Sequence, residues 1–403
     1  MSDTSGATYT IYIIAGEPSG DALGARLMES FRQISSRNFQ FYGIGGQKMA
    51  SQGLASIFPM SDIALMGIFE ILPEAPKLIR RLNETVKDVK ARQPDAIVTI
   101  DSPGFSLRVA KKLKDSGIPI VHYVAPSVWA WKSWRARQMR AYLTKVLALL
   151  HFEPPYFEKH GLPCEFVGHP VLQSGADNGS AERFRRKYNI ALGRRLLGIL
   201  PGSRDGEVTR HLPVIQSSLE CSQINWKHTD LVVPLADNVS QIVRAKMSKW
   251  NFNVHFVTET DKYDAFAALD SAMAASGTVA LELALANVPF ITIYKMAPVS
   301  NYLARRLVRL KYVNLINILL DKPVVPELLL ESCKPELIAP ALGDIWTKKK
   351  LREQQISDFK EVLKLLGAGH EPPGTRAAKA VLDVLEHTVK LGSKKTRLSE
   401  ENR

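Results

Sequence analysis

The chain is poor in cysteine: Cys164, Cys221 and Cys333 are the only three in 403 residues, far apart and without a C-x-x-C pair. An odd, scattered set argues against a disulfide framework or a zinc knuckle and leaves the thiols as small buried hydrophobes. Long apolar runs are missing too. The longest stretch without a charged residue, Ser116 to Trp131, contains Pro119 and Pro126 and falls short of the roughly 20 apolar residues that a bilayer span takes. The N-terminus carries Asp3 before any base and has no basic region, apolar block and small-residue cleavage site in series, so a cytosolic protein is expected. No G-x-x-x-x-G-K-[ST], H-E-x-x-H or D-x-D occurs, and Gly43-Ile44-Gly45-Gly46 lacks the full dinucleotide fingerprint. These absences argue against a P-loop hydrolase and show no metal-ligand set. Neither a metal nor a cofactor is expected.

What the chain does have is an ordinary folded composition, 45% hydrophobic and 8% aromatic, with enough length for two or three domains of about 150 residues. Charge departs from the ordinary. The 53 Lys and Arg against 40 Asp and Glu leave +13, which draws a protein toward a polyanion, either nucleic acid or anionic lipid. The excess is patchy: Lys132, Arg135, Arg137, Arg140 and Lys145 form one acid-free group, and Lys295, Arg305, Arg306, Arg309 and Lys311 another.

Short β-rich runs alternate with helical patterns. Tyr9 to Ala15 ends at Gly16 and is followed by a stripe of Leu23, Leu27, Phe31 and Ile34; Ala96 to Ile100 ends at Asp101; Ile118 to Val124 supplies a third run. The second half repeats the pattern with Leu196 to Leu200, Leu231 to Pro234, Val254 to Val257 and Ser271 to Ala275. Such βαβ patterning predicts an α/β protein of parallel sheets with helices on both faces and ligands at the carboxyl ends of strands. The small, turn-forming residues 173–180 are the expected linker between an N-terminal domain, 1–173, and a C-terminal domain, 181–366. After the break at 367–374, residues 375–390 carry the stripe Ala377, Ala378, Val381, Leu382, Leu385 and Val389, expected to dock across a domain boundary. A polar tail, 391–403, follows.

Three strand–glycine turn–helix segments could present backbone N–H groups to a ligand. Gly16-Glu17-Pro18-Ser19-Gly20-Asp21 carries two carboxylates that repel a diphosphate, so it reads as a sugar or hydroxyl site or as an ordinary turn with acids at the helix start. Pro201-Gly202-Ser203-Arg204, with Glu207 close behind, joins a glycine turn to a hydroxyl and a guanidinium that suits phosphate oxygens. Ser276-Gly277-Thr278 precedes Glu282, which could accept hydrogen bonds from ribose hydroxyls. These two loops are expected to converge on a diphosphate without a competing carboxylate in the cradle. Asp101 ends an apolar strand and is followed by Ser102-Pro103-Gly104, so it reads as a general base or as a helix cap. His122 reads as a core histidine, and His169 as a ligand contact or a turn residue. The run Ile63 to Leu72, which includes Met66, Ile68, Phe69 and Leu72, is followed by Lys77, Arg80 and Arg81; it reads as core or as a membrane-dipping helix. Trp129, Trp131 and Trp134 among basic residues fit an interfacial belt or base stacking.

Ala15-Gly16-Glu17-Pro18-Ser19-Gly20-Asp21, Met66-Gly67-Ile68, Asp101-Ser102-Pro103, the segment from His122 to Trp131 with its Pro-Ser-Val-Trp-Ala-Trp, Phe166-Val167-Gly168-His169-Pro170, Leu200-Pro201-Gly202-Ser203-Arg204 and Ala275-Ser276-Gly277-Thr278 together resemble the lipid-A-disaccharide synthase family. They come in that family's order from about Tyr9 to Leu330. The resemblance implies a GT-B type glycosyltransferase, two Rossmann-like domains with parallel sheets facing across a cleft, acting by inversion and without a metal. It implies transfer of 2,3-diacylglucosamine from UDP to the 6-hydroxyl of 2,3-diacylglucosamine 1-phosphate. Glu17 and Asp101 are then the catalytic carboxylates; Ser203, Arg204, Glu207, Ser276, Gly277, Thr278 and Glu282 bind UDP; and Ser19, Gly20, Met66, Ile68, Phe69 and Leu72 face acceptor and lipid. The implied partners are the two lipid substrates, the cytoplasmic face of an anionic inner membrane and a second copy of the chain, with no nucleic acid. Exchange of C-terminal portions in that homodimer implies that Asn317 enters the partner's site, although this chain has Ile316-Asn317-Ile318 where the family more often has Pro-Asn-Leu. A UDP-N-acetylglucosamine transferase or epimerase of the same fold shares the nucleotide loops and is the alternative.

Overall fold

The computed structural model describes residues 8–63, 68–130, 134–296 and 311–401, over 68–74 and 389–401 as backbone alone. The chain divides into two compact units, one formed by 1–170 with 369–403 and the other by 171–368.

In the first unit, strands β1 (Thr8–Ala15), β2 (Asn38–Ile44), β3 (Ala55–Ser56), β4 (Ala96–Ile100), β5 (Ile120–Tyr123), β6 (Lys145–Ala148) and β7 (Cys164–Phe166) lie in the order β3-β2-β1-β4-β5-β6-β7. Every neighbouring pair is parallel. A parallel pair needs a crossover connection, so helices cover both faces and the strands are apolar on both sides. Tyr12, Ile14 and Ile97 join Phe105 and Val109 of the helix Pro103–Lys112 in one core. On the other face Ile11, Ile13, Val98 and Ile100 meet Leu23, Leu27 and Phe31 of the helix Pro18–Ile34.

The second unit repeats the plan. Strands β8 (Arg195–Leu200), β9 (Thr229–Pro234), β10 (Val254–Val257), β11 (Ser271–Ala275), β12 (Phe290–Tyr294) and β13 (Glu327–Leu329) lie in the order β10-β9-β8-β11-β12-β13, again all parallel. Its core gathers Leu197, Ile199, Leu231, Val233 and Met273 under Val208, Leu212 and Ile215 of the helix Asp205–Glu220.

The helix Pro373–Glu401 belongs to the first unit although the whole second unit precedes it in sequence. Ala377, Ala378, Ala380, Val381 and Leu385 are buried in the core that holds Leu27 and Phe31. The small alanines let the two helix backbones approach, and Arg376 donates to the Phe166 carbonyl at the end of β7. Helical backbone continues through 391–401, where the sequence predicts a frayed tail; its Leu, Lys, Arg and Glu residues are good helix formers. Among the described residues no helix is long and apolar enough to cross a membrane.

Leu385 is 1% exposed, so Leu385→Ala removes a full side chain from this core. The variant is expected to lose about 2–5 kcal/mol of stability, read from the urea midpoint of the transition that reports the first unit.

Candidate active site

In each sheet the strand order reverses beside the first strand, between β1 and β4 and between β8 and β11. At such a point consecutive connections leave on opposite faces and open a crevice at the carboxyl ends. All four candidate loops begin there.

In the first unit Ala15 and Ile100 are register partners, so Gly16-Glu17 and Asp101-Ser102 leave the sheet side by side. Gly16 is required by that closeness, because a Cβ on it would lie 2.6 Å from Ser102 Oγ. Asp101 and Ser102 both have left-handed backbones, with φ of 48° and 44°. Val124, at the end of β5, has φ of 78°, a true outlier for a β-branched residue. Each such residue costs on the order of 1–3 kcal/mol, and such strain clusters where a site needs a side chain re-aimed. The Asp101 amide donates to Tyr123 O at 2.9 Å, pinning this strained corner to the neighbouring strand. Asp101 is not the cap of the next helix: Ser102 occupies the N-cap position, with no side-chain cap bond. Burial pushes the Asp101 carboxyl above the usual carboxylate range, and a backbone hydrogen bond involving Ser102 offsets only part of the rise.

Glu17 stands before the helix Pro18–Ile34 without capping it through its side chain, and it lines a cavity with Ser102. Ser19 is exposed, whereas Gly20 is buried against Ile100 and brings the helix close to the sheet. Asp21 serves neither a ligand nor its own helix start. It is buried, and its carboxylate accepts from the amides of Gly46 at 2.8 Å, Lys48 at 3.0 Å and Met49 at 3.0 Å, capping the helix Gln47–Ser51. His122 is fully buried, shares a 2.8 Å hydrogen bond with Thr99 and, driven down by desolvation to about 3, stays neutral. Desolvation likewise lowers His169 to about 4.

Sequence reading missed Glu153. It is 3% exposed, accepts from Trp129 Nε1 at 3.2 Å and from the Leu150 amide at 3.0 Å, and burial raises it to about 7. Trp129 is therefore packed inward, edge-on to Phe152, and is not part of an exposed belt. Trp134 is exposed, and Trp131 and Lys132 lie outside the described residues. Only the through-space meeting of a tryptophan and a carboxylate could have revealed Glu153.

In the second unit Leu200 pairs with Ala274, which brings Gly202-Ser203-Arg204 beside Ser276-Gly277-Thr278. Gly202 has φ of 118°, and a Cβ there would meet Glu207 Oε2 at 2.7 Å. The expectation of a cradle free of carboxylate is corrected here. Glu207 accepts from the Ser203 amide at 3.3 Å, from Arg204 at 3.4 Å and from Tyr294 OH at 3.3 Å, so a carboxylate lies within the turn itself. The loop is braced from below by buried His211, which bridges Pro201 O at 2.7 Å and the Lys295 amide at 2.9 Å. Arg204 itself is 62% exposed and available to a ligand. A Cβ at Gly277 would meet nothing within 4 Å, and the Thr278 hydroxyl makes no cap bond. Glu282 is held by Lys262 at 2.9 Å and Tyr263 at 3.1 Å, two residues that sequence reading missed because they lie some 20 positions away.

Asn317 is 1% exposed. Its amide donates to Val325 O and Glu327 and accepts from the Val325 amide, all between 2.8 and 2.9 Å. That arrangement fixes the approach to β13 within the second unit.

Met66 lies outside the described residues, as do the side chains of Ile68, Phe69 and Leu72. Ile63, at the head of that run, is a core residue at 3% exposure. Lys77 and Arg81 share Asp62 at 2.8 and 2.6 Å, so one of the three positive charges expected on this helix is offset there. Arg305, Arg306 and Arg309 lie outside the described residues.

Two Rossmann-like units, one with carboxylates and one with small-residue loops and an arginine at the reversal of strand order, define a GT-B glycosyltransferase architecture. Solved structures share it: S. aureus MnaA in a UDP co-structure (TM-score 0.61, 12% identity, 95% of this chain and 97% of that one) and Acinetobacter baumannii MurG (TM-score 0.57, 12% identity, 94% and 100%). The family model described as Lipid-A-disaccharide synthetase matches residues 11–380. Lipid-A-disaccharide synthases of Rhodospirillum centenum and Paramagnetospirillum magneticum are 50% and 44% identical, covering 94% and 93% of this chain and 95% and 97% of theirs. The chain belongs to the lipid-A-disaccharide synthase family, glycosyltransferases of lipid A biosynthesis.

Glu207→Gln removes the charge that occupies the cradle while keeping a side chain that can accept from Ser203. UDP is expected to bind about two- to fivefold tighter by calorimetry, the worth of an exposed ion pair.

Proposed function

We propose that the protein transfers 2,3-diacylglucosamine from UDP to the 6-hydroxyl of 2,3-diacylglucosamine 1-phosphate with inversion, releasing UDP. The observation that carries this reading is Asp101: a half-buried carboxylate with raised proton affinity, held by strained backbone at the reversal of strand order and unused as a cap. Asp101 takes the proton from the acceptor hydroxyl as that oxygen attacks the anomeric carbon and UDP leaves from the opposite face. Glu17 orients the acceptor. Ser203, Arg204, Ser276, Gly277 and Thr278 receive the diphosphate, with Arg204 meeting the charge that develops on the leaving oxygen, and Glu282 accepts from the ribose. Glu207 acts as the placeholder that diphosphate displaces.

Asp101→Asn keeps the shape and removes the proton acceptor. Turnover, followed by thin-layer separation of the disaccharide, is expected to fall at least about a hundredfold with UDP affinity near normal. The reactive form is the ionised one, and burial raises its pKa. Wild-type activity should therefore be full at high pH and fall, as pH drops, at a point above the ordinary aspartate range. An Asp101→Asn enzyme with full activity transfers the base assignment to Glu17. Epimerisation of UDP-N-acetylglucosamine without acceptor would favour the alternative reading.

The protein works as a peripheral homodimer at the cytoplasmic face of the inner membrane, on this reading, because both lipid substrates reside there and the chain carries +13. Binding to anionic vesicles should weaken as salt rises, measured by co-sedimentation; binding that is indifferent to salt refutes an electrostatic contribution.

A further inference from the structure

A cavity of about 240 Å³ opens beside the carboxyl ends of β1 and β4. Its walls are Ile63, Ala75, Leu78, Leu82 and Phe105, supplied by the helices Ile68–Arg92 and Pro103–Lys112 and the segment before them. Ile63, Leu82 and Phe105 are core residues of the first unit, so the hollow reaches into packed apolar structure. The lining also carries polar groups: Glu17, Ser102, which is bonded in sequence to Asp101, and exposed Arg108.

An apolar chamber with a few polar groups in its lining fits an amphiphile, whose tail gains by leaving water while its head keeps its hydrogen bonds. The volume exceeds the roughly 150 Å³ at which an apolar protein cavity admits a benzene ring. Ser102 adjoins the proposed base in sequence, so a lipid whose head sits at Glu17 and Ser102 has its hydrocarbon against the apolar walls.

We infer that this cavity holds one acyl chain of the acceptor, and that it makes Ala75 and Leu78 determinants of acyl-chain length. The inference rests on the transfer reaction proposed above. The acceptor is assigned here and the donor is not, for two reasons: its reacting hydroxyl must reach Asp101, and its phosphate complements Arg108, whereas the donor's charge is taken up by the UDP loops.

The test uses the full-length enzyme with one donor and a series of diacylglucosamine 1-phosphates that differ only in chain length. Ala75→Phe fills the chamber and should lower the ratio of kcat/KM for long over short chains by about tenfold, the equivalent of roughly two methylenes losing their burial. Leu78→Ala enlarges it and should move the optimum toward longer chains, so the two variants err in opposite directions and one suffices if the other fails to fold. UDP affinity and the thermal midpoint report that each fold survives. An unmoved chain-length profile in a folded variant overturns the inference. So does a shift seen only when the donor's chains are varied, or a loss of vesicle binding with an unchanged profile, which would make the chamber a grip on bilayer lipid. A wild-type enzyme that turns over no acceptor of any length refutes the reaction itself, whereas an active enzyme with an unmoved profile refutes only the chamber.

Discussion

The reversal of strand order beside the first strand of each sheet is the constraint on which the rest depends. It parts two crossover connections and leaves backbone ends that no helix covers, so whatever residues follow those strands are exposed to a ligand yet held by a rigid sheet. The chain uses the same device twice with opposite chemistry. In the first unit the ends carry carboxylates, Glu17 and Asp101; in the second they carry glycine, hydroxyls and Arg204. Two chemically opposite turns are thereby built by one rule of topology, and the difference between them is made by a few side chains.

Charge in these turns is governed by neighbours more than by composition. Asp21 lies four residues from Glu17 and is spent entirely on three backbone amides, so it contributes rigidity and no reactivity. Asp101 has a single backbone bond against its burial, and its proton affinity rises. Glu207 rests on Arg204 and Ser203 and braces the loop from within. Lys262 and Tyr263 do the converse for Glu282, aligning its carboxylate while satisfying part of it.

What was legible in the sequence was local. Strand, turn and helix followed one another at readable spacing, so the parallel sheets, the four loops and the exposed end of β4 could be placed from Gly16, Asp101, Gly202 and Gly277. The illegible part consists of partners brought together by the fold. The bonds that tie Asn317 to Val325 and Glu327 cross a loop and leave no mark in its neighbouring residues. Glu153 drew no notice beside Pro154 and Pro155, yet it secures Trp129 from 24 residues away. Ile63 to Leu72 was ambiguous for another reason: an apolar run has the same composition whether it faces core, lipid or substrate, and Ile63 turned out to face core.

The helix that packs Ala377, Val381 and Leu385 against the first unit has a consequence for synthesis. Translation delivers β1 long before this helix, with all of 171–368 made in between. The first unit thus has high contact order, and a long loop must close before its core is complete, while the second unit, contiguous in sequence, can fold as soon as it leaves the ribosome. Until then the face of the sheet beside Leu27 and Phe31 stays uncovered, and the nascent first domain depends on the speed with which its own distant end arrives.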